Sequence, residues 1–418
     1  MEKIVVEGGE RLFGEVSISG AKNAALPIMA ASILANSPVK LKNIPELRDI
    51  KTFINLLNII GAKTEFSNNS LIIDPATINN CTAPYELVKT MRASILFLGP
   101  LITKFGKAKV SLPGGCAIGP RPVNFHIDAI KKLGAEVDVV DGYIIAEAKK
   151  LKGCEFYFDI PSVTGTENII MAAVFAKGKT VIKNAAKEPE VVDMVKFLKK
   201  AGAKIKGEGT DIIEIEGVNS IKGIEYEVIP DRIETGTFIV AAGITNGNIL
   251  IKNCNLKFIE SVITKLKSTG IKIKEEKNGI RVIGSDEITA ADITTMPYPG
   301  FPTDMQAQFM SLMCYSSGVS VITETIFENR FMHAFELMRM GADIKIEGNH
   351  AIVKGKKILY GAKLMASDLR ASASLILAGL RAKGKTEVSR IYHLDRGYEK
   401  FDFKLQKLGA KILRMKEK

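Results

Sequence analysis

The sequence predicts an α/β protein of two domains, each built from three copies of one helix-and-strand unit. Three observations carry this prediction. The chain of 418 residues is longer than one hydrophobic core serves, so two domains are expected. A glycine that follows an amphipathic segment recurs six times, at Gly61, Gly134, Gly202, Gly270, Gly341 and Gly409, at intervals of 68 to 73 residues. A second segment, apolar all round and rich in small residues, also recurs six times, beginning near Ala24, Arg92, Thr166, Thr235, Thr303 and Arg370.

Each element of the unit has a local cause. The all-apolar segments, such as residues 24–34 and 370–378, read as buried helices, because a helix with no polar face has none to give to water. A strand follows each, as at 39–41 and 179–182. The segments before the glycines carry apolar residues at helical spacing. These are Phe53, Leu56, Leu57 and Ile60; Ile127, Ile130 and Leu133; Val191, Val195 and Leu198; Val262 and Leu266; and Phe335, Leu337 and Met340. They read as surface helices with an apolar stripe, each ended by a C-cap glycine. After four of the six glycines an evident strand pair follows a small turn, as in 63–74 around Asn68-Asn69 and 272–283 around Asn278-Gly279.

Composition narrows the function. With 46% hydrophobic and 25% charged residues the chain is an ordinary globular one. Its net charge of +12 raises nucleic acid as a partner, and a non-catalytic basic repeat protein is one alternative. However, the lysines are spread over helix faces and strand ends, and 7% aromatic residues without Trp offer no base-stacking platform. An anionic small-molecule site explains the charge as well, and no nucleic-acid partner is expected. Cys81, Cys116, Cys154, Cys254 and Cys314 show neither CxxC spacing nor a His at zinc spacing. That argues against a disulfide framework and a structural metal, and suits the cytoplasm. The first residues lack a signal peptide's apolar region, and no apolar run reaches the roughly 18 residues of a membrane span.

Two features supply candidate functional residues. Residues 112–122 hold three glycines and three prolines, so they form a loop, and this loop displays Cys116 and Arg121. A thiol near cations on a mobile loop is open to activation. The buried helices also start with charged or capping residues: Lys22-Asn23, Arg92, Ser162 to Gly165, Asp304 and Asp368 to Arg370. A buried helix start has free N–H groups and a positive dipole end, so several converging on one cleft would hold phosphates and carboxylates.

In order along the chain, residues 19–27, 112–122, 230–238, 301–306, 326–331 and 368–371 give the sequence its likeness to a known family. Over essentially its whole length it resembles the enolpyruvyltransferase superfamily. The resemblance implies an inside-out α/β barrel fold in two domains, with helices inside, sheets outside and three βαβαββ-type repeats in each. One domain would be residues 22–229 and the other residues 1–21 plus 230–418. It further implies transfer of the enolpyruvyl group of phosphoenolpyruvate to the 3′-hydroxyl of UDP-N-acetylglucosamine, releasing phosphate, without metal or cofactor. That reaction is the first committed step of peptidoglycan synthesis. The branch acting on shikimate 3-phosphate is an alternative, matched less well because it lacks a Cys-bearing Gly/Pro loop. Oligomeric state stays open.

The same resemblance implies roles. Cys116 would be the proton donor and the target of fosfomycin, and Asp304 the general base. Lys22 and Asn23 would contact phosphoenolpyruvate, with Arg396 clamping it and Arg92 and Arg121 beside its anionic groups. Arg330, Asp368 and Arg370 would position substrate. The nucleotide would meet Arg121, Pro122, Val123, Asn124, Phe125 and His126, and Ser162, Val163, Thr164 and Gly165, with the backbone of Ile326 or Phe327 near the sugar. The chain departs from the family's pattern at Asn124, where Asp is common, at Ile160, where Lys is common, and at Thr164, where Gly is usual. Asn124 still accepts through its amide carbonyl, without charge.

Overall fold

A computed structural model describes residues 2–88, 91–112 and 123–416. Among these the strands form six four-stranded sheets. All six share one strand pattern, a parallel pair on one side and an antiparallel pair on the other, and in five of them the antiparallel pair is a hairpin. In the first, Val39–Lys42 runs parallel to Glu225–Glu227 and antiparallel to Ser70–Asp74, which turns back onto Lys63–Ser67. The turn is Asn68-Asn69, both at positive φ (49° and 57°), the geometry of a two-residue hairpin and one that Asn tolerates. Val39, Leu41, Leu71 and Ile73 point inward while their strand neighbours alternate outward.

The buried helices are where the apolar segments place them. Lys22–Ala31, Leu98–Phe105 and Val163–Ala173 form one group, and Arg232–Ile244, Gln306–Met313 and Leu369–Arg381 another. Nearly every residue of these helices is buried. The Leu98 and Gln306 helices are led in by single 3₁₀ stretches, Arg92–Phe97 and Thr303–Met305. The amphipathic helices Arg48–Ile59, Asn124–Lys132, Pro189–Ala201, Glu260–Ser268, Met332–Arg339 and Phe401–Lys407 precede the six repeat glycines. All six glycines sit at φ between 93° and 118°, where a side chain is strained.

Some expectations are corrected. Phe335 is 60% exposed, and His333, Ala334 and Leu337 face the core instead. Two residues along a helix of 3.6 per turn lie about 200° apart, so Phe335 and Leu337 cannot share a stripe. The sixth glycine is followed by a strand, Lys411–Lys416, whose antiparallel partner is not local. It is the N-terminal strand Glu2–Glu7, which lies between Lys411–Lys416 and Lys385–Ser389. From sequence, Cys81, Cys154, Cys254 and Cys314 read as small buried hydrophobes; Cys314 is buried, whereas Cys81, Cys154 and Cys254 are half-buried.

The described residues divide into two compact units, residues 2–19 with 230–416, and residues 20–112 with 123–229. Each has its own hydrophobic core around its three inner helices. Each is therefore an α/β body with helices inside and sheets outside. Among the described residues no helix is long and apolar enough to cross a membrane.

Candidate active site

In the unit of residues 20–229, Lys22 opens an inner helix whose N-cap, Ala21, offers no side-chain cap. Its ammonium lies 3.0 Å from Asp49 Oδ2, with both side chains nearly buried. Asp49 sits in the first turn of Arg48–Ile59, on the otherwise apolar inner face of that helix. Asn23 is exposed beside Lys22.

Ser162 caps the Val163–Ala173 helix by accepting from Gly165 N–H at 3.2 Å. A Cβ on Gly165 would come within 2.8 Å of Ser162 Oγ and 2.9 Å of the Phe158 ring, so this start admits only glycine there. Val123 is the N-cap of Asn124–Lys132, Asn124 is exposed, and Phe125 packs edge-on against Phe158 at 5.9 Å. His126 is buried on the same helix.

A network fixes the His126 tautomer. Asn168 Oδ1 accepts from Gly99 N–H at 2.6 Å, so its Nδ2 is the donor to Ile95 O at 3.0 Å and to His126 Nδ1 at 2.9 Å. Nδ1 is then unprotonated, and Nε2–H points to Thr164 Oγ1 at 3.5 Å. Burial, and then the positive Arg92, pushes the His126 pKa down to about 4, so the ring is neutral. Thr164, accepting from His126, keeps its own proton to donate.

In the other unit, Asp304 lies in the turn Thr303–Met305 and takes two guanidiniums. Arg330 Nη2 donates to Oδ1 at 2.7 Å and Arg370 Nη2 to Oδ2 at 2.8 Å. The Asp304 side chain keeps 28% exposure against 6% and 4% for the arginines, so the carboxylate is the member a ligand reaches. Burial raises its pKa, but Arg370 and Arg330 outweigh that and hold it well below the usual carboxylate range. Asp304 is therefore ionised at neutral pH and weakly basic in this arrangement.

Arg330 Nη1 also donates to Thr303 Oγ1 at 3.0 Å. Thr303 Oγ1 in turn donates to Glu324 Oε2 at 2.7 Å, and Glu324 Oε1 accepts from Ile326 N–H at 2.9 Å. Phe327 N–H shares that oxygen at 3.3 Å, so both amides are engaged and any ligand contact there falls to carbonyls. Asp368 caps Leu369–Arg381 through Arg370 N–H and Ala371 N–H at 2.8 and 3.0 Å. Behind it, His333 is buried, and burial holds its pKa down at about 4. Arg396 ends the turn Ile391–Arg396, half-buried.

The structure thus brings Asp304, Arg330 and Arg370 into one ion cluster with Asp368 at the adjacent helix start. It also brings His126 to Thr164, with Arg92 close enough to act on the imidazole. Cys116, Arg121 and Pro122 lie outside the described residues. Sequence reading missed Asp49, Asn168, Thr303 and Glu324. Each has a polar neighbour in sequence, as in Arg48-Asp49, Glu167-Asn168, Thr303-Asp304 and Thr323-Glu324-Thr325, so no local signal singled them out. Burial pushes the thiols of Cys254 and Cys314 up to about 11 and 12, so neither is a nucleophile at neutral pH. Among the described residues no group of three or more His, Cys, Asp or Glu is placed to hold a metal ion.

Comparison with known proteins extends this picture. A family model described as EPSP synthase (3-phosphoshikimate 1-carboxyvinyltransferase) matches residues 6–405. The chain is 59% identical over 417 residues to the UDP-N-acetylglucosamine 1-carboxyvinyltransferase of Thermodesulfovibrio yellowstonii, covering 100% of both. It is 54% identical, again over 100% of both chains, to the protein of that name in Geotalea uraniireducens. Among solved structures, the enolpyruvyl transferase NikO of Streptomyces tendae superposes with a TM-score of 0.91 at 24% identity, over 99% of this chain and 98% of that one. EPSP synthase of Acinetobacter baumannii superposes with a TM-score of 0.79 at 18% identity, over 100% of each. At those identities the two structures establish a shared fold.

Proposed function

Because the chain belongs to the EPSP synthase family of carboxyvinyl transferases, we propose that it transfers the enolpyruvyl group of phosphoenolpyruvate to the 3′-hydroxyl of UDP-N-acetylglucosamine. Phosphate is released, and the reaction is the first committed step of peptidoglycan synthesis, in the cytoplasm. The observation that carries the choice of acceptor is the 59% identity over the full length to a relative named for that sugar nucleotide.

In this reading the sugar hydroxyl adds to C2 of phosphoenolpyruvate. Its proton passes to Asp304, while C3 gains a proton from the Cys116 thiol. In the second half a C3 proton returns to the thiolate, the bond from C2 to the phosphate oxygen breaks, the C2–C3 double bond re-forms, and the proton held by Asp304 leaves with the phosphate, restoring the carboxylate. Asp304 suits the first step as a reachable carboxylate that is ionised before the hydroxyl arrives and free to take its proton, though two arginines blunt its basicity. Lys22 would meet an anion at a helix start, where ammonium and free N–H groups add, and Arg396 would clamp the donor. Arg92 and Arg121 flank the anionic groups, and Arg330, Asp368 and Arg370 fix the reacting end. Thr164 and the 123–126 segment would take the nucleotide.

The test is at the thiol. Fosfomycin should inactivate the parent, and Cys116→Asp, which retains an acid on the loop, should turn over and resist the drug. Cys116→Ala turning over at the parent's rate would overturn the assignment.

A further inference from the structure

Arg370 is a fully charged group in a buried place, with few partners. Its Nη2 holds Asp304, but Nε and Nη1 are buried and make no hydrogen bond. Beyond that bond its orientation rests on the nearby charge of Asp231 and on packing. The guanidinium carbon lies 5.3 Å from the centre of the Tyr398 ring, a cation–π distance.

Tyr398 is itself held by a chain of hydrogen bonds whose directions are determined. Thr237 Oγ1 spends its proton on Ile233 O at 2.8 Å. The 2.9 Å contact between Thr237 Oγ1 and Tyr398 Oη must then be donated by the tyrosine. Tyr398 Oη, having given its proton, accepts from Gln308 Nε2 at 3.0 Å. The same Nε2 donates to the backbone carbonyl of Asp304 at 2.9 Å. Gln308 and Thr237 are completely buried and Tyr398 nearly so. One amide nitrogen thus ties the backbone of Asp304 to the ring beneath Arg370.

We infer that Tyr398 and Gln308 are positioning residues that set the Arg370 guanidinium against the Asp304 carboxylate. This rests on the reading of Asp304 and Arg370 as parts of the reacting site. Gln308 Nε2 also lies 3.2 Å from Thr237 Oγ1, so its second proton serves both hydroxyls and the three side chains form one buried network, which such burial makes rigid. Removing the ring leaves Arg370 with one anchoring bond; removing only the hydroxyl keeps the ring but frees Gln308 and Thr237 from it.

The experiment compares Tyr398→Leu, Tyr398→Phe and, as a packing control, Ile251→Ala, a buried site on the strand Asn248–Lys252 of the same unit. Steady-state kinetics are measured well below each variant's thermal midpoint. Rotation of the Arg370 guanidinium is followed by NMR of ¹⁵N-arginine-labelled protein. The inference predicts kcat down at least tenfold in Tyr398→Leu and severalfold in Tyr398→Phe, on the scale of one lost hydrogen bond. KM for the sugar nucleotide should hold within twofold, and Arg370 rotation should be faster in both tyrosine variants. Ile251→Ala should lose thermal stability and keep both kcat and slow rotation. Parental kcat and unchanged rotation in Tyr398→Leu would overturn the inference. A parent that releases no phosphate would instead overturn the proposed function, with the guanidinium rotation still deciding the network.

Discussion

Asp304 accepts from Arg330 and Arg370 at 2.7 and 2.8 Å, and both arginines are buried. Asp304→Ala leaves two buried cations without a counter-ion. Breaking a buried pair costs about 3–5 kcal/mol, and urea unfolding should show a loss of that size together with abolished phosphate release. Parental stability in that variant would mean the arginines find other partners. His126 gives a second prediction at this scale. Its folded pKa of about 4 is below the ordinary value of 6.5, so the unfolded chain binds more protons between those limits. Its contribution is complete above pH 6.5 and lost as pH falls toward 4. Histidine ¹⁵N spectra at pH 6 should show neutral His126 with the proton on Nε2; an imidazolium, or a proton on Nδ1, would contradict the Asn168 network. Charged residues at inner-helix starts, such as Lys22 and Asp304, were legible in the sequence. Their partners were not, because Asp49 lies 27 residues from Lys22, Asn168 lies 42 from His126 and Tyr398 lies 90 from Gln308.

The repeat glycines were legible because a C-cap is a local device, set by one helix end and the residue after it. What a glycine spares elsewhere depends on a neighbour the sequence does not adjoin. A Cβ on Gly20 would sit 1.7 Å from the carbonyl oxygen of Asn43, whereas one on Gly134 meets nothing within 4 Å. Gly134→Ala should cost only the left-handed strain of its φ of 96°, about 1–2 kcal/mol. Gly20→Ala must push backbone aside just before Lys22, and should cost about 3 kcal/mol or more. Urea midpoints compare the two, and a Gly20→Ala protein within about 1 kcal/mol of the parent would show that the contact relaxes freely. Helix phase was the less legible quantity at this scale: Phe335 was assigned inward because it is apolar, and His333 takes the buried position.

Across the chain the sixfold period carried most of the fold, since each unit must bury one apolar helix under one sheet. The period could not show that three sheets borrow strands from far along the chain, one of them placing Phe13–Ser17 beside Asn248–Lys252. Glu2–Glu7 completes the sheet of Lys385–Ser389 and Lys411–Lys416, and Glu225–Glu227 completes that of Val39–Lys42. A closing strand of three residues such as Glu225–Glu227 carries little pattern of its own, and the six residues of Glu2–Glu7 do not say which distant strand they join. The chemistry follows the same division: helix starts fixed by the repeats carry charged side chains, and the residues that hold those side chains in place come from elsewhere in sequence. The most direct test of the account is phosphate release from phosphoenolpyruvate with each acceptor in turn. Steady release with UDP-N-acetylglucosamine, and none above background with shikimate 3-phosphate or without acceptor, is the predicted result; release with shikimate 3-phosphate and none with the sugar nucleotide would contradict it.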